Sequence, residues 1–156
     1  MGILAYVDTS VYGGVFDPEF ATASKAFFKL VGQGRFELLV SDIVRQEIAR
    51  APARVRQYFG AQAGHMRLVA FDERVLALRE AYLSAGILGS DWADDAGHVA
   101  AATVWGADLI VSWNFRHIVH FEKIRLYNGV NALNNYRAVE IRSPREVIDY
   151  EDREEI

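Results

Sequence analysis

Two kinds of apolar pattern alternate along this chain: short, nearly continuous apolar runs, and longer stretches in which apolar residues return every three or four positions. Ile3–Val7 is a run of the first kind and ends at Asp8. Such a run reads as a strand covered on both faces, as in a parallel sheet. A turn is expected around Gly13-Gly14 and Asp17-Pro18, followed by a helix over residues 19–32 with Gly32 and Gly34 as stop signals. A second strand is expected over 36–40. Ser41 or Asp42 then caps a helix through IVRQEIAR, which Pro52 interrupts, and a basic helical stretch continues to Gly64.

The second half repeats the alternation. A strand is expected over 66–71, a helix over 73–85 closed by Gly86, and a strongly apolar helix over 94–105 closed by Gly106, with GSDWADD between the two helices. Residues 107–112 form another buried-type run before Trp113, Asn114 and Phe115. A last strand over 138–141 precedes a short helix led by Pro144. Strand and helix alternate throughout, which implies an α/β domain with a mainly parallel sheet.

Composition narrows this picture. At 156 residues, with 51% hydrophobic content, no internal repeat and no Pro/Gly/Ser linker, residues 1–156 are expected to form one domain around one core, with 150–156 as a frayed acidic tail. No stretch reaches the roughly 20 apolar residues of a membrane span, and MGILAYVDTS lacks the basic start of a signal peptide, so a soluble, cytoplasmic chain is expected. The absence of cysteine excludes disulfides, thiolate zinc sites and a cysteine nucleophile, and leaves oxygen or imidazole as metal donors. A formal net charge of -4 argues against binding nucleic acid by global charge. Local basic groups would have to do so, and Arg45, Arg50, Arg54, Arg56 and Arg67 fall in one segment. Arginine suits bidentate phosphate contacts, although a solvated helical face explains the same cluster.

The candidate chemistry is acidic. In open α/β sheets ligands bind beyond the carboxyl ends of the strands, where the strand order reverses. Asp8 and Asn114 each follow an apolar strand and so fall at that edge, although Asp8 before Thr9-Ser10 also reads as a helix cap. Glu47 lies about one turn inside a helix that begins at the same edge. Asp91, Asp94 and Asp95 cluster at the start of the apolar helix, where its dipole favours carboxylates with or without a metal. Carboxylates gathered in one crevice repel unless a divalent cation neutralises them, and hard oxygen donors match Mg²⁺ or Mn²⁺. His98, one turn after Asp94 and Asp95, reads as a helix-face histidine bonding a neighbour rather than as a ligand. A phosphatase with Asp8 as nucleophile lacks a second aspartate two residues on, where Ser10 stands.

Four pieces in order, YVDTSVY, SDIVRQEI, DDAGHVAAATVWGADLIVSWNFRHI and NALNNYRAVEIRSPREVI, resemble the PIN-domain family over nearly the whole chain, the third piece being the most specific. The resemblance implies a three-layer α/β/α sandwich with a small, mainly parallel sheet and an acidic metal site at its carboxyl edge. It matches Asp8, Glu47 and Asp95 to the first three acidic positions, as ligands of Mg²⁺ or Mn²⁺. Asn114 falls on the fourth, where an aspartate is usual, and puts a second metal in doubt. Thr9 or Ser10 would bond a metal-held water or the scissile phosphate, with Asp94 and Asp91 as secondary candidates.

The implied activity is metal-dependent hydrolysis of RNA phosphodiesters by an endoribonuclease, leaving 5′-phosphate and 3′-hydroxyl ends. The compact bacterial proteins of this kind are mostly VapC-like toxins of type II toxin–antitoxin pairs, which implies a cognate antitoxin and homodimerisation through helices. Arg50, Arg54 and Arg56 would contact RNA or that partner. Two rivals stay open: a PIN-like RNA-binding or interaction module with weak or no catalysis, which Asn114 favours, and a nuclease of ribosomal RNA processing rather than a toxin.

Overall fold

A computed structural model describes residues 2–154, with side chains through residue 149. Among them, five strands form one all-parallel sheet in the order β3-β2-β1-β4-β5, with β1 Ile3–Val7, β2 Phe36–Ser41, β3 Met66–Val69, β4 Leu109–Val111 and β5 Glu140–Arg142. The central strand carries Ala5, Tyr6 and Val7 with no exposed surface, as a strand covered on both faces must. The helices are α1 Thr9–Gly14, α2 Ala21–Gly32, α3 Asp42–Ala49, α4 Ala53–Ala61, α5 Glu73–Ser84, α6 Ala93–Val104, α7 Phe121–Leu133 and α8 Pro144–Glu154.

The chain runs outward from β1 to β3, then crosses back to β4 and continues to β5. Right-handed crossovers in opposite directions put the connecting helices on opposite faces. Accordingly α2 packs on α8, while α5 packs on α6 and α7, which makes the three-layer α/β/α sandwich. The order reverses between β1 and β4, so the crevice at that switch point opens beside Asp8 and the residues after Val111.

Most expected elements are present, with three instructive departures. The turn expected around Gly13-Gly14 is the end of a helix, α1, which buries Val11, Tyr12 and Gly14. Gly14 is there for space: a Cβ would stand 2.8 Å from Ser24 Oγ and 2.9 Å from Trp113 Nε1, the two atoms of a 2.8 Å hydrogen bond. The strand expected over 107–112 pairs only at Leu109–Val111, because Ala107 N–H turns back to Ala102 O to close α6. No helix is expected from the pattern of 121–133, yet α7 forms there. Its inward face includes Asn131, whose Oδ1 accepts a 2.5 Å hydrogen bond from Tyr82 OH, while Leu126 and Leu133 point outward, so its apolar periodicity is blurred. Much of the acidic stretch 150–156 belongs to the last turns of α8, and residues 155–156 lie outside the described residues.

Filling the space at Gly14 tests this packing. Gly14→Ala is expected to lower stability by about 1–3 kcal/mol in thermal or urea denaturation, because the clash falls on a buried indole. An unchanged midpoint would show that Trp113 yields freely.

Candidate active site

Each acidic residue reaches the switch-point edge from a different element. Asp8 sits directly after β1 at the N-cap position of α1, but its side chain makes no capping hydrogen bond. Instead its Oδ1 accepts from Ser10 Oγ at 2.5 Å, and the same Ser10 Oγ accepts from Trp113 N–H at 3.0 Å, tying the ends of β1 and β4 together. The capping explanation for Asp8 is therefore set aside.

Glu47 is on α3, which follows β2 directly; Ser41, the last residue of that strand, caps the helix, its Oγ accepting from Val44 N–H. Asp95 is in the first turn of α6. Between Glu47 and β1 stands His98, buried on α6. Its Nε2 lies 2.5 Å from Glu47 Oε1, and its Nδ1 shares a 2.6 Å hydrogen bond with Tyr6 OH, which in turn bonds Ser41 Oγ at 2.8 Å.

The electrostatics follow from burial and crowding. Burial pushes the Asp8 carboxyl above its ordinary value, against the opposing pull of His98 and the Ser10 and Ser112 hydroxyls. Burial alone would lower the His98 pKa, but the Glu47 hydrogen bond and charge, with Asp8 and Asp95 behind them, raise it overall. Burial opposes ionisation of Glu47 too, yet His98, Thr9 and Arg50 together hold its pKa below the usual value. Asp8, Glu47 and Asp95 thus all act on one imidazole.

Asp95 Oδ2 lies 2.8 Å from His117 Nδ1, and Tyr127 OH fixes His117 by donating to its carbonyl at 2.7 Å. The Asn114 side-chain oxygen is engaged in the following turn, accepting His117 N–H at 2.9 Å. Asp91 and Asp94 are exposed at the outer side of the same region. Arg50 stands at the rim near Glu47, Arg54 lies over the Phe16 ring at 5.1 Å, and Arg56 donates to Ala51 O. Of the wider basic segment, Arg67 pairs with Glu37 across β2 and β3 and Arg45 with Asp42.

The donor set suits a hard divalent ion: three carboxylates, one of them buried with its charge disfavoured, which a cation would relieve. Among the described residues no three carboxylate or imidazole groups converge on a single point. Binding a metal through all three would therefore require these side chains to draw closer together. His117 and Tyr6, which orient this centre, escape the sequence reading. His117 is 22 residues from Asp95, and Tyr6 looks like any other apolar strand residue.

No protein-family model matches the chain, and neither does any curated protein. Solved structures do match. VapBC2 from Rickettsia felis, bound to a DNA fragment from its promoter, superposes with a TM-score of 0.56 at 10% identity, covering 90% of this chain and 98% of that one. FitAcB from Neisseria gonorrhoeae gives 0.56 at 16% identity, covering 90% and 97%, and FitAB bound to an IR36 DNA fragment gives 0.56 at 17%, covering 90% and 94%. The chain has a PIN-like fold. Within the PIN-like fold, the acidic centre lies at the carboxyl edge that the sequence resemblance implies. Among the described residues no helix is long and apolar enough to cross a membrane.

Two predictions come from these charges. Because folding raises the Asp8 pKa, its ionised form opposes folding at neutral pH, so Asp8→Asn is expected to melt a few degrees above the native protein. A lower Tm would mean that its hydrogen bonds outweigh burial. For the Glu47–His98 pair, a histidine pKa raised by folding gives stability that is complete below 6.5 and lost as pH rises through the native value. A depressed glutamate gives stability that is complete above 4.5 and lost on acidification. Urea denaturation from about pH 6 to about pH 9 should therefore show the native protein losing more stability than Glu47→Gln. Parallel curves would contradict the pairing.

Proposed function

We propose that this protein is a metal-dependent endoribonuclease and the toxin of a type II toxin–antitoxin pair. The observation that supports this most is that Asp8, Glu47 and Asp95 stand on elements that meet at the switch-point edge of the sheet, with Glu47 directly against His98. In this reading Asp8, Asp95 and Glu47 hold Mg²⁺ or Mn²⁺, which when bound supplies Lewis acidity and an activated water for phosphodiester hydrolysis. His98 and His117 position Glu47 and Asp95 before the ion enters. Ser10 fixes the rotamer of Asp8, and Thr9, beside Glu47, is placed to bond the scissile phosphate or a water. Arg50 and Arg54 supply local positive charge at the rim, which a chain of net charge -4 needs to hold RNA.

The toxin role draws on the likeness to VapBC2 and the FitAB proteins, solved as complexes; a cytoplasmic location and a cognate antitoxin covering the crevice belong to the same reading. Homodimerisation belongs to the same reading. The outer face of α7 carries exposed Phe121, Leu126 and Leu133 with Glu122 and Arg125 beside them, so two antiparallel copies would set unlike charges opposite each other.

A second reading, a PIN-like module that binds RNA without cutting it, is favoured by one observation. Each carboxylate is already bonded, Asp8 to Ser10, Glu47 to His98 and Asp95 to His117, and Asn114 adds no charge. Cleavage of a mixed single-stranded RNA with Mg²⁺, Mn²⁺ or EDTA separates the two. Cutting that needs metal and falls roughly a hundredfold in Asp8→Asn and Asp95→Asn is the expected result. Intact RNA in every metal condition, with folded and partner-free protein, would overturn the nuclease.

A further inference from the structure

Two chains of contact lead from the acidic centre to exposed aromatic rings. Asp95 holds His117, and the His117 ring packs against Trp92 with centroids 4.4 Å apart and planes tilted by 44°. Asp8 holds Ser10, Ser10 holds Trp113, and the edge of Trp113 meets Phe115 at 6.1 Å. Trp92 remains 42% exposed and Phe115 49% exposed. Both rings thus leave apolar surface in water beside the acidic centre.

Trp92 is the more telling of the two. The other tryptophans are anchored, Trp105 by donating to Ala70 O and Trp113 by donating to Ser24 Oγ, both at 2.8 Å. Among the described residues the Trp92 indole N–H has no such acceptor. Trp92 closes the short 3-10 turn Ser90–Trp92, directly before α6, so its backbone is fixed relative to Asp95. The Arg116 guanidinium lies 5.1 Å from its ring centre, and Lys123 Nζ donates to Arg116 O at 2.9 Å, which brings a second cation to the same turn. A fixed aromatic ring, an unengaged N–H and two cations, next to carboxylates, match an unpaired base on a phosphate backbone. A base would stack on the ring surface that His117 and Arg116 leave open, with the cations toward the phosphates and the acidic residues one step along the strand. A base inside a duplex has both faces stacked already and cannot use this surface.

We propose that Trp92, with Arg116 beside it, forms a stacking platform for an unpaired RNA base flanking the bond at the Asp8–Glu47–Asp95 centre. The proposal rests on the ribonuclease reading for its substrate, but its test does not depend on cleavage. Fluorescence anisotropy in EDTA measures binding of a labelled single-stranded RNA dodecamer of mixed sequence and of a base-free ribose-phosphate strand of the same length. Trp92→Ala is expected to lose about tenfold in affinity for the RNA and nothing for the base-free strand, with Trp92→Phe keeping most of the RNA affinity. Equal binding of RNA by Trp92→Ala and native protein overturns the platform and leaves a partner protein as what covers Trp92. Equal losses on both strands, or loss in Trp92→Phe as severe as in Trp92→Ala, overturn it as well, since they indicate backbone electrostatics or local packing. Failure of the nuclease itself shows separately, as intact RNA with metal and an unimpaired stacking difference in EDTA.

Discussion

Everything at the carboxyl edge of this sheet depends on how the protein manages negative charge in a buried place. Asp8, Glu47 and Asp95 come from a strand end and two helices, and the fold sets Glu47 against one imidazole, His98, which the centre keeps buried, inclined to hold a proton and within electrostatic reach of the other two. Without that imidazole the carboxylates would repel one another in a region that water cannot screen well. Its other nitrogen is held by Tyr6 and through it by Ser41, so the position of the positive partner is set by β1 and β2 themselves.

A second set of contacts keeps the two switch-point strands in register. Ser10 joins Asp8 to the Trp113 backbone, and the Trp113 indole reaches Ser24 on α2 through the gap that Gly14 leaves. Phe20 stacks on the same indole at 4.3 Å. Side chains from α1, α2 and the loops before α2 and after β4 thus meet at one tryptophan, and the carboxylate at the end of β1 inherits its position from that packing rather than from a helix cap.

The sequence made the layer pattern legible because parallel strands buried on both faces leave unbroken apolar runs, as Ile3–Val7 does, and because Ser41 is a helix cap of the ordinary kind. The acidic residues at the edge could be placed from the ends of those elements. The rest needed the third dimension. Gly13-Gly14 read as a turn because the demand for space at Gly14 comes from Trp113, a hundred residues away in the chain. The helix Phe121–Leu133 hid because a polar Asn131 faces inward and leucines face out. His117 and Tyr6 gave no local signal, since their roles come only from what folding sets beside them.

That inward asparagine has an effect well beyond its own helix. Tyr82 on α5 donates to it and Asn128 accepts from it, so α7 has one docking position: a slip of a turn would strand polar groups in the core. The same helix carries Tyr127, which grips His117, the partner of Asp95. α7 therefore works as an alignment pin with one end at the acidic centre and the other at the outer surface. The exposed leucines and the acidic centre thus share one element, with two hydrogen bonds between α7 and Asp95.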